Sequence, residues 1–173
     1  MNGQILIRES VGGITVESNL TSRMYEDRVC YLFDEVNQNT ANYLFKQFSY
    51  LEAKDPSKEI TLIINSPGGI ISDGLVIYDI MQSIKNDIRT ICVGTAASMA
   101  SVLLAGGTKG KRLIYPHAEV LIHQPLGGMQ GQASDLQIQM EHMNNCKYQI
   151  IDILSMHIGK TKARIKRDID RDN

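Results

Sequence analysis

An α/β fold is what this sequence predicts, and three observations carry it. Short apolar runs rich in β-branched residues recur along the chain, at Ile60–Ile64, Ile88–Val93 and Val120–Ile122. Stretches with apolar residues at helical spacing separate them. Glycine and proline gather at the junctions, as in Pro67-Gly68-Gly69 and Gly106-Gly107. Strands alternating with helices favour right-handed βαβ crossovers on a parallel sheet. The 173 residues suit one domain, residues 1–173, because a chain of this size buries roughly 70% of its unfolded surface. No linker, internal repeat or low-complexity tract divides it.

Taken in order, Val29-Cys30-Tyr31-Leu32-Phe33 reads as a short strand. Asn37 or Asn39 caps the helix that follows, and Ala41, Leu44, Phe45, Phe48 and Leu51 share one of its faces. Lys54-Asp55-Pro56-Ser57 ends it. Ile60–Ile64 has the pattern of a strand buried on both faces of a parallel sheet. A helix is expected from about Asp73 to Lys85, burying Leu75, Ile77, Ile80, Met81 and Ile84. Ile88–Val93 is the next strand, Ser98–Ala105 the next helix, and Val120–Ile122 a further strand beyond Pro116. A long helix spans about Ala133–Ile158, with Leu136, Met140, Met143, Ile150, Ile151 and Leu154 as its apolar stripe. At 1.5 Å per residue it is roughly 39 Å long. That is more than a domain of this size covers easily, so it packs on another subunit or lies along the sheet. Gly159 fits its C-terminal stop, and Thr161 caps a short final helix.

Composition narrows the function. A net charge of −1 and a pI near 6.4 argue against nucleic acid or an anionic membrane as the main partner. The basic cluster Lys160, Lys162, Arg164, Lys166 and Arg167 is balanced at once by Asp168, Asp170 and Asp172, as on a solvated helix face. Cys30, Cys92 and Cys146 are odd in number and lack C-x-x-C spacing, which disfavours a disulfide framework or a zinc site. Reduced thiols in the cytosol are the expectation. No apolar stretch has the length of a membrane span, and the first residues have no secretory-signal pattern. A soluble, cytoplasmic protein is expected.

Three segments carry the chemistry. Ser98, in Gly94-Thr95-Ala96-Ala97-Ser98-Met99-Ala100, lies where an apolar strand passes into a helix, so its hydroxyl can stand exposed beside unpaired helix N–H groups. His123, in Leu121-Ile122-His123-Gln124-Pro125, ends another apolar strand and can supply the base that a serine nucleophile needs. The glycines of Asn65-Ser66-Pro67-Gly68-Gly69 let the backbone approach a ligand closely, which makes their N–H groups candidate oxyanion donors together with that of Met99. One such donor is worth about 3 kcal/mol in a transition state. An orienting carboxylate is left open by spacing, among Asp152, Asp168, Asp170 and Asp172. His142 and His157 fall within the long helix and His117 in a turn, so they are weaker candidates for the base.

In these motifs the sequence resembles ClpP, the proteolytic subunit of the ATP-dependent Clp protease. Asn65-Ser66-Pro67-Gly68-Gly69, Ala96-Ala97-Ser98-Met99, Gly110-Lys111-Arg112, His123-Gln124-Pro125-Leu126-Gly127-Gly128, Gly131-Gln132-Ala133 and Asp170-Arg171-Asp172 occur in that family's order and spacing. The resemblance covers about Arg23 to Asn173. It implies a crotonase-like ClpP fold of stacked βαβ units, with residues 127–158 as a protruding strand–helix handle and residues 1–20 as an axial loop. It implies Ser98 as nucleophile, His123 as general base, Asp172 as orienting acid, and an oxyanion hole from the backbone N–H groups of Gly68 and Met99. It also implies heptameric rings stacked into a tetradecamer, with Asp170 and Arg171 at the inter-ring contact. Unfolded protein substrates would be delivered by a hexameric AAA+ Clp ATPase. ATP then belongs to that partner, and no cofactor or metal is expected here.

Departures are also visible. Thr61 and Ile63 stand where the family commonly carries tyrosines that receive the ATPase. Val11-Gly12-Gly13-Ile14-Thr15 replaces a polar, arginine-bearing tip, and Phe33-Asp34 replaces small residues. These point to a divergent paralogue, one that shares rings with a second subunit or uses an unusual ATPase. The family continues past Asp172 with a helix and a closing strand, so a truncated sequence is expected. Two other readings compete. Paired glycine N–H groups could polarise an acyl-CoA thioester, although that chemistry needs no serine. Alternatively, the chain could be a non-catalytic or regulatory ring subunit pairing with an active paralogue.

Overall fold

The computed structural model describes residues 6–11 and 14–170. At its N-terminal end β1 (Leu6–Val11) and β2 (Ile14–Asn19) pair antiparallel, over the stretch where an axial loop was expected. Helix α1 (Leu20–Glu26) leads to Arg28, whose backbone takes the left-handed region at φ 60°. The main sheet follows: β3 (Val29–Leu32), β4 (Ile60–Ser66), β5 (Ile88–Ala97), β6 (Arg112–Ile114) and β7 (Glu119–Leu121). Its order is β3-β4-β5-β6, with β7 also pairing β5, and every pairing is parallel. Helices α2 (Gln38–Lys54), α3 (Ile71–Ser83) and α4 (Met99–Ala105) make the crossovers.

Local chemistry explains these boundaries. Asn37 caps α2 by accepting from the N–H groups of Asn39 and Thr40, while Thr40 Oγ1 accepts from Asn37 N–H, a reciprocal box. At the other end of α2 the buried Arg28 guanidinium donates to the carbonyls of Leu51, Asp55, Lys58 and Glu59. It thus satisfies acceptors that a helix end leaves unpaired. Along β4, Ile60, Leu62, Ile64 and Ser66 are buried, whereas Thr61, Ile63 and Asn65 are only half-buried. The expectation of burial on both faces is corrected here, because the helices cover one face alone. The row Tyr31, Ile63, Ile91 and Leu113 lies in register across the other face, which is open in this single chain.

Beyond the sheet, α5 (Ala133–Ile158) has the expected span, and α6 (Lys162–Asp168) is capped by Thr161 Oγ1 on the Arg164 N–H. Gly159, at φ 72°, ends α5 in the left-handed region that suits glycine. Ile150, Ile151 and Leu154 are buried, with α4 and α6 packed against this end. The first half of α5 stands clear of the core: Ile138 is 66% exposed and Met140 51%. Residues 127–132 form no strand, against the expected handle strand. A strand needs a partner for its ladder, and three glycines in this stretch weaken any intrinsic preference.

Candidate active site

Sheet register brings Ser98 and His123 together. Strand β7 pairs with the last part of β5, so that Ala97 is the partner of Leu121, and Ser98 N–H donates to Leu121 O at 2.9 Å. Residues following each strand therefore leave the sheet side by side. A bulge makes this register possible: Ile64 pairs with Cys92, but Ser66 pairs with Ala96. Asn65 fills the gap, its Oδ1 accepting from Thr95 N–H at 3.1 Å. A Cβ at Gly94 (φ +79°) would stand 2.5 Å from that same oxygen, so only glycine leaves room for it.

Ser98 adopts φ 55°, ψ −125°, a region L-residues rarely occupy and one that costs of order 1–3 kcal/mol. Its side chain makes no capping bond to α4. Its carbonyl instead accepts from Ser101, from N–H at 3.0 Å and from Oγ at 2.6 Å, which pins the first turn of the helix. Ser98 and His123 line one cleft, walled by Ile71, Val102, Ile150 and Leu154. No hydrogen bond joins their side chains in this arrangement. His123 Nδ1 lies 2.7 Å from Gln124 O. A carbonyl can only accept, so Nδ1 carries the proton and, in the neutral ring, Nε2 is the free base. That is the tautomer a general base requires.

The glycine turn abuts the serine. A Cβ on Gly68 would lie 2.7 Å from Ser98 Cβ and 2.8 Å from Met99 N. Gly68 N–H is not offered to the cleft, however: it donates to Ser66 Oγ at 3.1 Å, and Ser66 Oγ donates in turn to Asp34 O at 2.7 Å. This corrects the expectation that Gly68 N–H is a free donor. Its neighbour fits better. Val36 N–H donates to Gly68 O and Ile70 N–H to Val36 O, both at 2.8 Å, which makes Val36 and Gly69 a parallel bridge. In that pattern the N–H of Gly69 points away from Val36, toward the side where β5 and Ser98 lie. Met99, the first residue of α4, has an N–H with no intrahelical partner.

Gln124 ties the base to the C-terminal end of the chain: its N–H donates to Ile169 O at 2.7 Å and its Nε2 to Asp170 O at 3.3 Å. Asp170 is thus beside the site. Asp172 and Arg171 lie outside the described residues. Sequence reasoning assigned no role to Asn65, Ser66 or Gln124, although each stands within a quoted motif. Elsewhere, burial raises the Cys30 thiol to about 12 against a smaller lowering by Arg28, so it is no nucleophile at neutral pH. Among the described residues no cluster of three or more His, Cys, Asp or Glu could hold a metal, and no helix is long and apolar enough to cross a membrane.

A parallel α/β sheet with a strained serine and a histidine at the ends of adjacent strands defines a hydrolase-like class of site. The family model for Clp protease matches residues 12–173. The chain belongs to the Clp protease family and is a ClpP-like protease.

Proposed function

We propose that this chain is a serine endopeptidase subunit of a self-compartmentalised barrel. Ser98 Oγ attacks the peptide carbonyl carbon while His123 Nε2 takes the hydroxyl proton. The developing oxyanion is held by the N–H groups of Met99 and of the Gly68–Gly69 turn, with Gly69 in the role the resemblance gave to Gly68. The imidazolium passes its proton to the leaving amine as the C–N bond breaks, and water then hydrolyses the acyl-serine by the same route. Asp172 orients the ring by accepting the hydrogen bond from Nδ1–H that Gln124 O now accepts, the proton staying on the ring.

The observation that carries this reading is Ser98 itself: a left-handed, uncapped serine sharing a cleft with an imidazole in the base tautomer. The exposed half of α5 supports assembly into heptameric rings stacked as a tetradecamer, with Asp170 and Arg171 at the inter-ring contact. Unfolded proteins are the substrates, fed by a hexameric AAA+ ATPase that spends the ATP in the cytoplasm, and this chain itself uses no cofactor. Fluorophosphonate treatment followed by intact-mass analysis tests the reading. One adduct is expected on the wild type and none on Ser98→Ala, which also loses peptide hydrolysis. A second reading, a non-catalytic ring subunit paired with an active paralogue, draws on Thr61 and Ile63 on the open sheet face. An unlabelled chain in a correctly assembled particle would favour it.

A further inference from the structure

The turn that abuts Ser98 cannot set its own shape. Gly68 and Gly69 lie at φ 85° and 152°, and a glycine backbone moves freely among such conformations. What fixes the turn is a lacing of hydrogen bonds to residues 34–36. Gly68 N–H donates to Ser66 Oγ at 3.1 Å, and the Ser66 hydroxyl donates to Asp34 O at 2.7 Å. A carbonyl only accepts, so the hydroxyl proton faces Asp34 and a lone pair of Oγ is left for Gly68. Val36 N–H in turn holds Gly68 O at 2.8 Å. Within a trans peptide C=O and N–H point to opposite sides, so Gly69 N–H is turned away from Val36, toward the side of Ser98.

Asp34, Val36 and Gly68 enter this lacing through main chain, whereas Ser66 enters it through a side chain. Ser66 is the last residue of β4 and is fully buried, so bulk water does not compete for its bonds. We propose that Ser66 is a positioning residue for the oxyanion hole. Its hydroxyl holds the Pro67–Gly68 peptide plane and, through it, the Gly68–Gly69 plane. Gly69 N–H is thereby aimed at the oxygen that gains charge when Ser98 attacks. Without the hydroxyl, Gly68 N–H is a buried donor with no partner, which is costly. The two glycines then let both planes rotate to relieve it. This inference rests on the oxyanion role of the turn in the proposed function and names the side chain that maintains it. A serine that merely closed the end of β4 would affect stability and leave transition-state binding alone.

The test measures kcat and KM for peptide hydrolysis by the assembled particle, together with inhibition by a peptidyl aldehyde. Ser98 Oγ bonds to the aldehyde carbon as the C=O π bond opens, the serine proton passes to His123, and the new oxyanion sits in the hole. Ser66→Ala is expected to keep KM and particle size but to lower kcat about tenfold, since the donor is turned rather than removed. The inhibition constant of the aldehyde should rise by the same factor, because the adduct resembles the transition state. Ser66→Cys, close in shape but a weak acceptor, should fall between the two. Wild-type kcat in Ser66→Ala, a raised KM with unchanged kcat, or a lowered kcat with wild-type aldehyde affinity would overturn the proposal. If Ser66→Ala fails to assemble, Ser66→Cys carries the test, and wild-type kcat with wild-type aldehyde affinity there is equally fatal. Peptidase activity surviving Ser98→Ala would instead remove the serine mechanism itself.

Discussion

A methyl group on Gly68 would meet Ser98 Cβ at 2.7 Å and Met99 N at 2.8 Å, at a backbone φ of +85° that a side chain tolerates poorly. Neither neighbour is the far end of a flexible side chain, so the turn or the serine must move. Gly68→Ala is therefore expected to lower kcat on the order of 100-fold, the size of effect that follows loss of one oxyanion donor. Peptide hydrolysis at the wild-type rate would show that the turn has no part in the reaction. At this scale the meeting of Ser98 and His123 in one cleft was legible from their strand-end settings. What the sequence withheld were main-chain bonds. The N–H of Gly68 goes to Ser66 Oγ and the proton of His123 to Gln124 O because of how two loops fold back, and composition carries no trace of that.

Among the elements, the last turn of α5 is fastened by a half-buried polar group. Tyr78 OH on α3 meets His157 Nε2 at 2.8 Å, with the two rings edge to face, while Arg112 Nη1 on β6 donates to His157 O at 2.9 Å. Burial, with a smaller contribution from the Arg112 charge, holds the His157 pKa below its ordinary 6.5. The folded protein then binds fewer protons than the unfolded chain between the two values. Stability is expected to fall as pH drops below about 6.5 and to level off below the folded value. His157→Gln should remove that part of the slope in denaturant melts followed from pH 7.5 to 5; an unchanged slope would show that His157 titrates freely. Long periodic helices such as α2 and α5 were readable from spacing, whereas β6 is three residues long and offers no period to read. The hairpin β1–β2 lay hidden because a polar alternation resembles a loop. The strand β5 ran past its expected end because Gly94 marks a bulge rather than a stop.

For the molecule as a whole, the exposed half of α5 asks for a covering surface. Ile138 is 66% exposed and packs against nothing that holds the fold together. Ile138→Asp should leave the melting temperature of the chain unchanged yet yield smaller particles in sedimentation; particles of wild-type size would mean that this face meets no other subunit. The open face of the sheet, with Tyr31 stacked edge-on against Phe33 and Leu113 exposed, is a second apolar surface of the same kind.

Because β7 is hydrogen-bonded to the very strand that leads into Ser98, alcohol and imidazole issue from one continuous ladder with no hinge between them. Rearrangement of subunits or helices cannot pull those strands apart without breaking the sheet. Any silencing of the catalyst has to work downstream of Leu121, by turning the ring or slackening the loop that carries it, and an off state should keep the serine in place.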